Sequence, residues 1–100
     1  MSEDSVSELE KAIESQHGGT ATLVQSVPIR EMFEGKTVWE GVVHVFDLAN
    51  NLRATRAYAW SSPIEGSTKR RFFAVLHMGA IKSPQDAVRA AIVAETRAKK

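Results

Sequence analysis

The sequence contains no cysteine. No disulfide, cysteine-based zinc site or thiol nucleophile can form, and the chain suits a reducing compartment. Only 3 prolines and 6 glycines occur in 100 residues, too few for a collagen-like or linker-like chain. An excess of charge of one sign is missing too. The 13 Lys and Arg stand against 12 Asp and Glu, a formal net charge of +1, so no global field favours nucleic acid. Long apolar runs are absent, and no segment reads as a membrane span. The opening MSEDSVSELE is acidic and polar rather than basic and then apolar. It does not read as a secretory signal, and a cytoplasmic location is expected.

Catalytic signatures are missing as well. No G-x-S-x-G, G-x-G-x-x-G, P-loop or H-E-x-x-H pattern occurs. EGSTKR at 65–70 holds Gly, Ser, Thr and Lys in the wrong order for a P-loop. No catalytic residue, metal ligand or cofactor is therefore assigned. Of the three histidines, His44 and His77 fall on strand-like runs; with Asp47 or Glu40 they would supply donors for a metal or acid–base site. His17 reads as a residue at a helix C-terminus. Glu8, Glu10 and Glu14 read as one solvated helix face.

What is present is ordinary globular composition, 43% hydrophobic and 25% charged. One hundred residues make one domain, here read as 1–100 with 1–4 and 97–100 disordered. Val6, Leu9 and Ile13 recur at helical spacing. Ser5 and Glu8 have capping-box spacing, and Gly18-Gly19 stops the helix. Thr20 to Val27 reads as a strand with Ala21, Leu23, Gln25 and Val27 on one face, ended by Pro28 or limited by it to a sheet edge. Ile29 to Glu34 reads as a helical turn closed by Gly35.

The centre of the chain is a meander: Val38 to Leu48, Leu52 to Ser61 and Thr68 to His77. A two-residue turn at Asn50-Asn51 would pair Val43 with Tyr58 and Val45 with Arg56. That puts Trp39, Val43, Val45, Arg56, Tyr58 and Trp60 on one face. Val42, His44, Phe46, Thr55, Ala57 and Ala59 take the other. SPIEGS at 62–67 reads as the second turn, and Gly41 as a bulge or as room for the indole opposite. The apolar run Phe72 to Leu76 implies cover on both sides. Ser83, Pro84 and Asp86 open a final helix as cap, first residue and first-turn acid. Its alanines suit close packing, with Ala57 and Ala59 as the floor.

The architecture expected is α+β: an N-terminal helix, an antiparallel sheet of three or four strands, and a C-terminal helix across one face. The second face then carries Trp39, Tyr58 and Trp60. Such a patch calls for cover by the first helix or by Ile29–Glu34, for a homodimer, or for a ligand. These three aromatics are the candidate ligand or partner residues. Arg53, Arg56, Lys69, Arg70 and Arg71 are candidate nucleic-acid contacts. Basic groups beside stacking rings are what single strands use, although charged edge strands also guard simply against aggregation.

VWEGVVHVF at 38–46, AYAWS at 57–61, FAVLH at 73–77 and SPQDAVRAAI at 83–92 resemble motifs of small uncharacterised bacterial proteins. The resemblance covers the last two thirds of the chain. It implies a cytoplasmic bacterial domain and carries no activity, cofactor or site. The helix–strands–helix order, with GVVHVF, also resembles the double-stranded RNA-binding domain. That fold starts its last helix with lysines, whereas Ser83-Pro84-Gln85-Asp86 brings an acid. The leading expectation is a non-enzymatic interaction or regulatory module that self-associates or binds a protein. The alternatives are a nucleic-acid binder through the basic strand ends, and a ligand carrier or enzyme with an aromatic-lined pocket.

Overall fold

A computed structural model describes residues 2–64 and 66–98. Met1, Lys99 and Lys100, parts of the stretches expected to be disordered, lie outside the described residues. The order is α1 (Ser2–His17), β1 (Thr20–Phe33), β2 (Lys36–Ala49), β3 (Arg56–Pro63), β4 (Arg70–Leu76) and α2 (Pro84–Ala98). The strands form one antiparallel meander in the order β1-β2-β3-β4. The fold is α+β, as expected, with a helix on each face of the sheet.

Local chemistry sets the helix ends. The Ser83 hydroxyl accepts the Asp86 N–H at 3.1 Å, and the Asp86 carboxylate accepts the Lys82 N–H at 3.1 Å. The first bond satisfies a donor that α2 leaves open at its first turn, and the second ties the chain before the cap to that turn. The start of α1 departs from expectation: it begins at Ser2, so Ser5 lies inside the helix and is not its cap. Its end is where the glycines put it. Gly19 has φ +80°, and a Cβ there would meet the Ala49 carbonyl at 2.5 Å, so only glycine fits between helix and sheet.

β1 runs through Pro28 to Phe33, so Ile29–Glu34 forms no helical turn, against expectation. Pro28 is tolerated because β1 is an edge strand. The tight two-residue hairpin turn sits at Glu34-Gly35, with φ 51° and 78°, and joins Phe33 to Lys36. A bulge at Val24 then breaks the alternation, since Leu23 pairs with Phe46 but Gln25 with Val45. Ala21 faces α1 while Val27 and Ile29 face α2, so they do not share one face.

The β2–β3 register is displaced by two residues from expectation. Val45 pairs with Tyr58 and Asp47 with Arg56, because the loop spans residues 50–55 rather than two. Asn51 organises that loop. Its Oδ1 accepts the N–H groups of Arg53 and Ala54 at 2.8 and 3.0 Å, and its Nδ2 donates to the His17 carbonyl at 2.9 Å. A shift of two preserves the faces. β3 continues to Pro63, and the following turn closes through Ile64 and Lys69, later than SPIEGS implied.

Two cores result. Leu9 and Ile13 of α1 pack on Ala21, Phe46, Ala57, Ala59 and Leu76. Ala87 and Val88 of α2 pack on Val43, Val45, Tyr58 and Trp60. The helices have therefore exchanged the faces expected of them: α1 occupies the alanine floor and α2 covers the aromatic face. Phe72 and Ala74 join the first core, Phe73 and Val75 the second. The apolar run in β4 is covered on both sides.

Candidate functional site

The ladder between β2 and β3 holds only four residue pairs, from His44–Ala59 to Asp47–Arg56. β2 continues beyond it to Lys36 on β1 alone, and β3 continues to Pro63 on β4 alone. The sheet thus forks into two hairpins. α2 runs across the fork. At one end the Gln85 amide and the Arg89 guanidinium both bond the Glu31 carboxylate of β1, the latter at 2.9 Å. At the other end Glu95 meets Arg71 of β4 at 3.6 Å. Between hairpins and helix lies a half-open cleft of about 320 Å³.

Three rings form its aromatic wall. Trp39 of β2 meets Trp60 of β3 edge to face, centroids 6.0 Å apart. Trp60 stacks on Phe73 of β4 at 5.2 Å and an interplanar angle of 8°. The Arg71 guanidinium lies over the Phe73 ring at 4.9 Å. Val38, Val88, Ala91 and Ile92 supply apolar lining, and Ser62 a hydroxyl. Gly41 makes this wall attainable: a Cβ there would come within 2.9 Å of the Trp39 indole, which folds over its own strand. The glycine makes room for Trp39, two residues away, rather than for the ring opposite. Trp60 and Tyr58 are each 2% exposed. Such rings remove about 150–250 Å² from water each, so Trp60 is a fixed wall. Trp39 and Phe73 are half-buried and border open space.

Arg71 is held weakly. Its side chain is 56% exposed and that of Glu95 43%. An ion pair so exposed contributes about 0.2–1 kcal/mol, and an exposed cation–π contact about 0.5–1 kcal/mol.

The remaining candidates scatter. Arg53 lies in the loop before β3 and Arg56 at its start, whereas Arg70 pairs with its far end. The two basic groups are thereby about 20 Å apart along the strand. Arg56 pairs with Asp47 at 3.5 Å, and Arg70 bonds the Ser61 hydroxyl and carbonyl at 2.9 and 3.1 Å. Lys69 is exposed in the preceding turn. No base can stack on Trp60, which is almost wholly buried and carries Phe73 on one face.

His44 and His77 sit on opposite faces and form no joint site. His44 shares a 2.8 Å hydrogen bond with the Ser26 hydroxyl, and burial holds its pKa below the usual value. His77 meets the Tyr58 hydroxyl through Nδ1 at 2.5 Å, beside Asp47, Thr55 and Arg56 in a shallow depression. Burial raises the Tyr58 pKa, Arg56 opposing and Asp86 adding to the shift. His17 bonds the Ala74 carbonyl through Nε2 at 3.0 Å. Glu14 is not simply solvated, since it accepts the Ala21 N–H at 2.9 Å. Among the described residues no group of three His, Asp or Glu is placed to hold a metal ion. No described helix is long and apolar enough to cross a membrane.

Sequence reasoning found Trp39 and Trp60 but missed Phe73, Glu95 and the α2 wall. The i, i+2 spacing of Arg71 and Phe73 was a signal for their contact. Comparison with known protein families, with curated proteins and with solved structures finds no match.

Proposed function

We propose that the chain is a non-enzymatic interaction module that takes a segment of a protein partner into the cleft between its hairpins and α2. The observation that carries this reading is the convergence of Trp39, Trp60 and Phe73 with one cation and one anion in a half-open concavity. Aromatic anchors framed by a few charges are the usual makings of a binding hot spot. The histidines, by contrast, lie in three separate places.

The test uses a random peptide library displayed on phage and panned against the full chain. The only two tryptophans both line the cleft, so their emission reports its occupancy. Selected peptides should change the emission saturably. Val38→Glu, at a position 47% exposed, should weaken them about tenfold, roughly 1.4 kcal/mol. Selected peptides that leave the emission unchanged would refute the reading.

A self-associating form of the module has one supporting observation. The tip of the β1–β2 hairpin exposes Phe33 at 65%, Met32 at 47% and Val38 at 47%. Sedimentation should then show a dimer that Phe33→Glu dissociates; a monomer at millimolar concentration removes it.

A further inference from the structure

We infer that the cleft receives an arginine side chain from its partner, and that Arg71 is an internal placeholder for it. This inference rests on the binding role proposed for the cleft and names the chemistry of its occupant.

Among the described residues, Arg71 and Glu95 are the only charged ones lining the cleft. Arg71 already shows what the site accepts. Its planar guanidinium lies on the outer face of the Phe73 ring and reaches the Glu95 carboxylate. Trp60 backs the same ring from the other side. If Arg71 swings into solvent, it leaves a carboxylate, an aromatic face and the edge of Trp39. That set has a negative charge and no other cation to balance it, so its complement is a cation. A flat, delocalised guanidinium matches the ring and the carboxylate together, which a compact ammonium does not. Arg71 is free to leave because its side chain is 56% exposed and it stands second in the edge strand β4.

Self-occupancy has a measurable consequence. A site filled by its own side chain binds an outside ligand with an affinity reduced by the unfilled fraction. The test is an NMR titration of the full chain with N-acetylarginine methylamide, following the two indole N–H signals, with N-acetyllysine methylamide as control. Arg71→Ala should bind the arginine probe roughly three- to tenfold more tightly than the unmodified chain. Glu95→Gln in that background should reverse the gain, and the lysine probe should bind several-fold more weakly. Both positions are half-exposed, so the variants should keep the fold, which circular dichroism checks. Equal affinity with and without Arg71, or equal binding of the two probes, overturns the inference. If panned peptides without arginine fill the cleft while Arg71→Ala ignores the arginine probe, this inference falls and the binding role stands. If neither binds, both fall.

Discussion

The two faces of the sheet are built from different side chains and end in different surfaces. Under α1 the floor is Ala21, Ala57 and Ala59, with Phe46 as the largest fully buried plug beside Leu76 and the partly buried Phe72. Small floor residues let a helix lie close, so Leu9 and Ile13 are fully enclosed at 1% and 0% exposure. Under α2 the floor is Val43 and Val45 together with the rings of Trp39, Tyr58, Trp60 and Phe73. Large rings hold the helix away from the fork between the hairpins, and a cleft is left beside it. One face is packed for stability. The other gives up some packing and keeps a concave surface. Side-chain size on the floor, more than the helix laid over it, decides which face can bind.

The largest expected effect tests the plug. Phe46→Ala should cost about 3–5 kcal/mol, because the alanines around it cannot close the cavity. Phe73→Ala, at the border of the cleft, should cost no more than about 1–3 kcal/mol. Urea midpoints compare them; equal losses would erase the distinction between the faces. Next come matched enlargements. Ala57→Leu, beneath α1, should cost about 1–3 kcal/mol by overpacking. Ala91→Leu, on the cleft wall, should stay within about 0.5 kcal/mol because there is room for it. A smaller effect is expected at Gly41. Gly41→Ala should displace the Trp39 indole, change the tryptophan emission and cost about 1 kcal/mol.

The last prediction concerns pH. The Gln85 amide and then the Arg89 guanidinium hold the Glu31 carboxyl below the usual carboxylate range. A carboxyl lowered in the fold stabilises it above the ordinary value, and that contribution is lost as pH falls through the lowered one. Acid should therefore loosen the β1–α2 contact. Unfolding midpoints followed downward from neutral pH should fall less steeply for Glu31→Gln than for the unmodified chain. Parallel curves would show that this contact carries no pH dependence.

These contrasts also mark what the chain's own residues could reveal. The Ser83 cap and the glycine stop after α1 were legible because each is settled within a few residues. The faces of β2 and β3 were legible because alternation survives a register shift of two. The shift itself was hidden in Asn51, whose side chain builds a longer loop than its backbone preference suggests. The hairpin turn at Glu34-Gly35 was hidden because glutamate is a poor signal for positive φ. Pro28 fitted either a strand end or an edge residue, and the order of strands in space makes it the edge residue. Which helix takes which face is also a matter of space. Alanines suit either helix, and only the Val24 bulge and the short β2–β3 ladder show where each can lie. Trp39 and Trp60 could be singled out as large rings on one face. Glu95 could not, since its partner comes from another element, and the stacking of Phe73 on Trp60 depends on an unknown register.

The most direct measurement is an NMR chemical-shift map of the full chain bound to a peptide selected by panning. The predicted result is movement of the Trp39 and Trp60 indole signals and of the amides of Arg71, Ala91 and Glu95. The amides of Leu9, Ile13, Ala57 and Ala59 should stay in place. Movement centred on the α1 face, with both indoles unmoved, would contradict the division of labour between the two faces.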